Sequence, residues 1–97
     1  MKKLIPYGKQ YIDKSDLDSV VYALKQDKIT TGPSVFKFEK KICNYTKAKY
    51  SSVCNSGTSA IFLALKAIGL KKGDNVIMPA INFISSYNMS KFFGAKI

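Results

Sequence analysis

Apolar positions at Leu17, Val20, Val21 and Leu24 recur at i, i+3, i+4 and i+7, the spacing of one helix face. Residues 1–12 have no period and read as an extended lead-in. The run Asp13-Lys14-Ser15-Asp16-Leu17-Asp18 is the expected helix start. Ser15 is the expected cap with Asp18 three residues on, and the acidic side chains sit at the positive end of the dipole. The stripe is expected to be buried. Lys28-Ile29-Thr30-Thr31-Gly32-Pro33 breaks this helix, and Pro33 suits the first turn of another. Val35, Phe36, Phe38, Glu39, Ile42, Cys43 and Tyr45 carry that second helix to about Thr46.

The second half alternates. Tyr50-Ser51-Ser52-Val53-Cys54 is a strand candidate, followed by a polar turn, Asn55-Ser56-Gly57-Thr58-Ser59. Residues 60–68 are strongly helical, with Gly69 as the stop. Asn75-Val76-Ile77-Met78 is a second strand, ended by Pro79. Residues 83–93 read as a helix ended by Gly94, and Ala95-Lys96-Ile97 as the opening of a third strand. The order predicts an α/β fold, with right-handed crossovers and a sheet covered on both faces. The sheet is incomplete, because its third strand has only begun at Ile97. The sequence is therefore expected to be the first part of a longer polypeptide, marginally folded alone and exposing large apolar patches.

Composition changes this picture little. Of 97 residues 46% are hydrophobic and 12% aromatic, which is globular composition. No apolar run approaches the roughly 18–20 residues of a membrane span. Pro6 and the polar residues after it interrupt the basic start before a signal peptide could form, so a soluble cytoplasmic chain with no membrane partner is expected. The formal charge is +10, from 16 basic and 6 acidic residues, and every basic residue is lysine. Arginine is the usual reader of base edges, and these lysines are dispersed, so solvated helix faces are preferred to a nucleic-acid footprint. Cys43 and Cys54, with no histidine and no CxxC pair, make neither a zinc site nor a disulfide framework, and no metal site is expected.

The most informative stretch for chemistry is Asn55-Ser56-Gly57-Thr58-Ser59. Small residues ahead of a helix expose backbone N–H groups beside two hydroxyls, which suits an anion such as phosphate. An ordinary polar helix cap accounts for the same spacing. The run is neither GxxxxGK(S/T) nor GxGxxG. It is not GxSxG either, and without histidine no serine-hydrolase triad can be assembled. Phe83 follows the second strand, at the carboxyl edge where ligands collect in open α/β sheets, although a core position would also explain it.

These segments together resemble a known family. Thr30-Thr31-Gly32-Pro33 with Phe38-Glu39, then Asn55-Ser56-Gly57-Thr58-Ser59-Ala60, then Gly73-Asp74-Asn75-Val76-Ile77-Met78-Pro79, Asn82-Phe83, Asn88 and Gly94-Ala95 look like the N-terminal quarter of the DegT/DnrJ/StrS-type sugar aminotransferases. The resemblance covers nearly the whole chain in the family's order, and the lead-in is most similar to the UDP-4-amino-4,6-dideoxy-sugar transaminase branch. It implies the start of a fold type I large domain that depends on pyridoxal 5'-phosphate. Residues 1–32 would form a lead-in, helix and substrate loop, and residues 33–97 the start of the cofactor-binding α/β domain.

The same resemblance implies roles. Gly57, Thr58 and Ser59 match the turn that holds the cofactor's phosphate, which favours the anion reading over the plain cap. Phe83 matches the aromatic stacked on the pyridine ring. Tyr7 and Asp27, Lys28, Ile29 and Thr30 match positions lining the sugar-nucleotide pocket. No catalytic residue is nominated, because the Schiff-base lysine and the aspartate that pairs with the pyridine nitrogen lie beyond residue 97 in the family. The chain alone is expected to be inactive. The implied whole enzyme is a homodimer that takes an amino group, from glutamate, to a nucleotide-linked keto-deoxy-sugar in surface-polysaccharide or glycan biosynthesis. Alternatives are a member acting on another keto substrate, such as a cyclitol, a sugar dehydratase using the same cofactor, or a small basic nucleic-acid-binding domain.

Overall fold

A computed structural model describes residues 8–97, so Tyr7 lies outside the described residues. Four helices follow one another: α1 (Lys14–Leu24), α2 (Pro33–Thr46), α3 (Gly57–Ala67) and α4 (Ser85–Phe92). The chain divides into two compact units, Met1–Ser51 and Ser52–Ile97.

In the first unit α1 starts earlier than a Ser15 cap would place it. Asp13 is the cap, and its Oδ1 accepts from the Ser15 N–H (2.8 Å), the Ser15 hydroxyl (2.7 Å) and the Asp16 N–H (3.2 Å). Asp16 reciprocates, its Oδ2 accepting from the Asp13 N–H at 3.0 Å. This is a capping box built from two aspartates. Ser15 loses the role because its own hydroxyl donates to the stronger, charged acceptor. After α1, Thr31 adopts φ +52 and Gly32 is buried. A Cβ at Gly32 would sit 2.1 Å from the Lys28 carbonyl oxygen, so the turn closes only around glycine. Pro33 then opens α2 at its first turn, as expected.

The stripe on α1 is not buried. Leu17, Val20 and Leu24 are each nearly 60% exposed. α2 touches α1 lightly, with the Lys37 ammonium 6.0 Å from the centre of the Tyr22 ring.

In the second unit α3 packs on α4. Phe62 of α3 lies edge-on to Phe92 at 5.6 Å and stacks on Phe93 at 5.3 Å, both within the range of favourable aromatic pairs. Both helices end on left-handed glycines, Gly69 (φ +76) and Gly94 (φ +78). The Leu70 N–H reaches back to the Leu65 carbonyl (3.0 Å), and the Ala95 N–H to that of Ser90 (3.1 Å), closing the last turns. Ala95 is the fully buried apolar residue of the described chain, beside buried Ser85 and Ser90.

The expected strands are largely absent among the described residues. One parallel rung, Asn75 opposite Lys96, brackets α4. The Val76 N–H donates to the Lys96 carbonyl and the Lys96 N–H to that of Asp74, both at 2.8 Å. Residues 50–54 form no strand. The physical reason is that a strand has no hydrogen bonds of its own and exists only through its neighbours, whereas a helix pairs its interior N–H and C=O groups within itself. The rung keeps the direction and order of a strand–helix–strand crossover.

The hydrogen bonds at Asp13, first from the Ser15 hydroxyl and then from the Asp16 and Ser15 N–H groups, hold its carboxyl below the usual value of 3.8. A depressed carboxylate stabilises the fold above its unfolded value, and that contribution is lost as pH falls through the folded value. Helicity of α1 is therefore expected to decline as pH is lowered below 3.8, measured by far-ultraviolet circular dichroism of the protein that carries this chain. Asparagine also caps well, so the Asp13→Asn variant should retain α1 and lose this step.

Candidate functional site: the head of helix α3

The polar turn expected at residues 55–59 is in fact the cap and first turn of α3. Helix α3 begins at Gly57, with Ser56 as an extended N-cap (φ −160, ψ 159). The first N–H groups of any helix lack partners within it. Here Ser56 Oγ accepts from the Ser59 N–H at 3.1 Å. The Ser59 hydroxyl accepts from the Ser56 hydroxyl at 3.0 Å and donates to Asn55 Oδ1 at 2.8 Å. The Ser56 carbonyl accepts from the Ala60 N–H at 3.0 Å and from the Cys54 thiol at 3.4 Å. The N–H groups of Gly57 and Thr58, by contrast, have no acceptor among the described residues.

What surrounds those two donors suits an anion. No acidic residue occupies the first turn of α3, so nothing opposes the positive end of the dipole. A Cβ on Gly57 would meet no atom within 4 Å, and Gly57 and Thr58 are exposed, so the space before the turn is open. Two N–H donors, the Thr58 hydroxyl and the helix dipole fit a phosphate. Ser59 differs from its neighbours, because its N–H and hydroxyl are both engaged in bracing the turn. The sequence reading missed Ser56 and Asn55 as its organisers, although a Ser three residues ahead of Ser59 was the available signal.

Phe83 lies on the loop before α4 and is 74% exposed, so it is not a core residue. It lines a hollow of about 280 Å³ with Met78, Pro79, Ile84, Tyr87 and Ile97. In the other unit, Asp27, Lys28, Ile29 and Thr30 form the exposed turn between α1 and α2. Asp27 and Lys28 border a smaller hollow of about 180 Å³ with Gln26 and Pro33. Among the described residues no cluster of Cys, Asp and Glu could hold a metal ion, and Cys43 and Cys54 are free thiols. No helix among the described residues is long and apolar enough to cross a membrane. Replacing Ser56 by Ala should destabilise α3 by about 1 kcal/mol, the usual worth of a hydroxyl cap. Denaturant unfolding of the variant measures it, and Ser56→Asp should largely restore the loss.

Comparison with known proteins places these residues in a lineage. The model of the DegT/DnrJ/EryC1/StrS aminotransferase family matches residues 10–97. A UDP-4-amino-4,6-dideoxy-N-acetyl-beta-L-altrosamine transaminase of Campylobacter jejuni (serotype O:23/36) is 38% identical over 94 residues, 97% of this chain and 25% of the relative. A UDP-4-amino-4-deoxy-L-arabinose–oxoglutarate aminotransferase of Shewanella sediminis is 33% identical over 94 residues, 97% of this chain and 24% of its own length. A Streptococcus pneumoniae protein assigned as a sugar aminotransferase and solved in its PLP form superposes with a TM-score of 0.82 at 32% identity, covering 95% of this chain and 24% of that one. This chain thus spans about a quarter of the length of the curated relatives it matches. With the family model matched over nearly its whole length, the chain belongs to the DegT/DnrJ/EryC1/StrS aminotransferase family.

Proposed function

We propose that this chain supplies the phosphate cradle and substrate loop of a pyridoxal 5'-phosphate-dependent aminotransferase. The enzyme would carry an amino group from glutamate to a nucleotide-linked keto-deoxy-sugar for a surface polysaccharide or glycan. The observation that carries the reading is the pair of N–H donors without acceptors at Gly57 and Thr58, at the head of α3. Family membership supports the cofactor, as do the PLP and PMP forms of the Streptococcus pneumoniae neighbour. The UDP-linked amino sugars named for the Campylobacter and Shewanella relatives support the substrate class.

In this reading Gly57 and Thr58 hold the cofactor's phosphate through their N–H groups and the Thr58 hydroxyl. Ser59 completes the cradle by bracing it, since a phosphate that took its hydroxyl proton would have to displace Asn55. Phe83 offers a flat apolar face for the pyridine ring. When bound, the cofactor supplies the electron sink that amino transfer requires. Asp27, Lys28, Ile29 and Thr30, with Tyr7, line the sugar-nucleotide pocket, and the Gly32 turn sets their path. None of the 97 residues is assigned the role of the Schiff-base lysine or of the aspartate that faces the pyridine nitrogen, so this chain's part is to bind and orient. Residues 1–32 serve as lead-in and substrate loop, and residues 33–97 open the cofactor-binding α/β domain, its sheet begun at the Asn75–Lys96 rung. The exposed apolar stripe of α1 suits a homodimeric protein, and the cytoplasm is the expected location.

The test is Gly57→Ala in the protein that carries this chain. Its Cβ meets no protein atom, so unfolding of the cofactor-free protein should be unchanged or slightly harder. Affinity for pyridoxal 5'-phosphate, followed by cofactor absorbance, should fall about tenfold or more, the worth of a hydrogen bond to a charged group. Unchanged affinity would remove the cradle from the site.

A further inference from the structure

We propose that Asn82 is a positioning residue for Phe83, a role that rests on the cofactor-stacking reading of that ring. Phe83 is 74% exposed on a loop between Pro79 and α4, so packing within this chain does not fix the direction of its ring. The backbone of residue 83 is nevertheless held from both sides. Its N–H donates to Asn82 Oδ1 at 2.8 Å, and its carbonyl accepts from the Ser86 N–H at 3.4 Å. The other end of the Asn82 amide, Nδ2, donates to the Ser86 hydroxyl at 3.2 Å. One side chain therefore ties the aromatic's own amide to the first turn of α4.

That turn is a firm anchor. Ser85 and Ser90 are 5% and 2% exposed, and α4 is packed on α3 through Phe92, Phe93 and Phe62. Helix α4 also lacks a side-chain cap at Ile84, its formal N-cap, so the Asn82–Ser86 bond is the polar side-chain link at this helix start. The orientation of the Asn82 amide follows from chemistry, since an N–H is only a donor and the atom facing it must be the oxygen. A stacking ring contributes most when its plane is held before the ligand arrives, because ordering it on binding costs affinity. Asn82 meets that need without touching the ligand.

The experiment compares Asn82→Ala, Asn82→Asp, Phe83→Ala and the Asn82→Ala/Phe83→Ala double variant in the protein that carries this chain. Pyridoxal 5'-phosphate is the probe. Amide hydrogen exchange at Phe83 is read in the cofactor-free protein, with the Ala95 amide, bonded to Ser90, as the control for an intact unit. Asn82→Ala should speed exchange at Phe83 and not at Ala95, and weaken cofactor binding about three- to tenfold, the worth of one hydrogen bond. Asn82→Asp keeps an acceptor for both the Phe83 N–H and the Ser86 hydroxyl and should restore both readouts. The double variant should bind no more weakly than Phe83→Ala, because Asn82 acts only through the ring. Equal losses from Asn82→Ala with and without Phe83 would overturn the inference, as would exchange at Phe83 that Asn82→Ala leaves unchanged. If Phe83→Ala itself leaves affinity unchanged, the stacking reading fails first and takes this role with it, whereas an effect of Phe83→Ala but none of Asn82→Ala defeats the positioning role alone.

Discussion

An α-helix cannot satisfy its own first N–H groups, and the candidate site depends on how the sequence disposes of them. At α1 the Asp13 carboxylate takes up the donors of Ser15 and Asp16 and places negative charge at the helix head. At α2 a proline removes one donor outright. At α3 a neutral hydroxyl takes the third N–H and leaves those of Gly57 and Thr58 facing open space. An anion bound there would need no further device, because the donors and the dipole are in place before any ligand arrives.

The same economy is not extended to the apolar side chains. Leu17, Val20 and Leu24 face outward, as do Ile77 and Ile81, which are essentially fully exposed. Apolar surface on this scale calls for protein neighbours rather than water. The parallel rung at Asn75 and Lys96 carries the same message for the backbone, since a lone rung leaves most strand donors and acceptors without sheet partners.

Local signals were legible in proportion to how locally they are satisfied. Pro33 and Thr46 bound α2 as the pattern predicts, and Gly69 and Gly94 end their helices as left-handed stops. The first turn of α3 has the sequence of a loop, because Asn55-Ser56-Gly57-Thr58-Ser59 is polar and a helix's first turn has the same composition as the turn before it. Ser15 reads as a cap in the sequence because hydroxyl caps are common, whereas in the structure its hydroxyl donates to Asp13. The stripe on α1 has the right period, but periodicity says which face is apolar and not whether anything covers it. The strands failed for the non-local reason, since residues 50–54 have the composition of a strand but form none, and composition does not say which neighbour a strand will pair with. Of the candidate site, spacing and resemblance point to Gly57, Thr58 and Ser59, and the structure leaves the N–H groups of the first two without acceptors among the described residues. The bracing by Asn55 and the tie from Asn82 to Ser86 depend on side-chain directions that no spacing encodes.

The most direct measurement is a proton–nitrogen correlation spectrum of the protein that carries this chain, titrated with inorganic phosphate and then with pyridoxal 5'-phosphate. The Gly57 and Thr58 amide protons are expected to move downfield with both ligands, while the Ser59 amide, already given to Ser56, moves little. Resonances of Gly57 and Thr58 that stay still while pyridoxal 5'-phosphate binds elsewhere would contradict it.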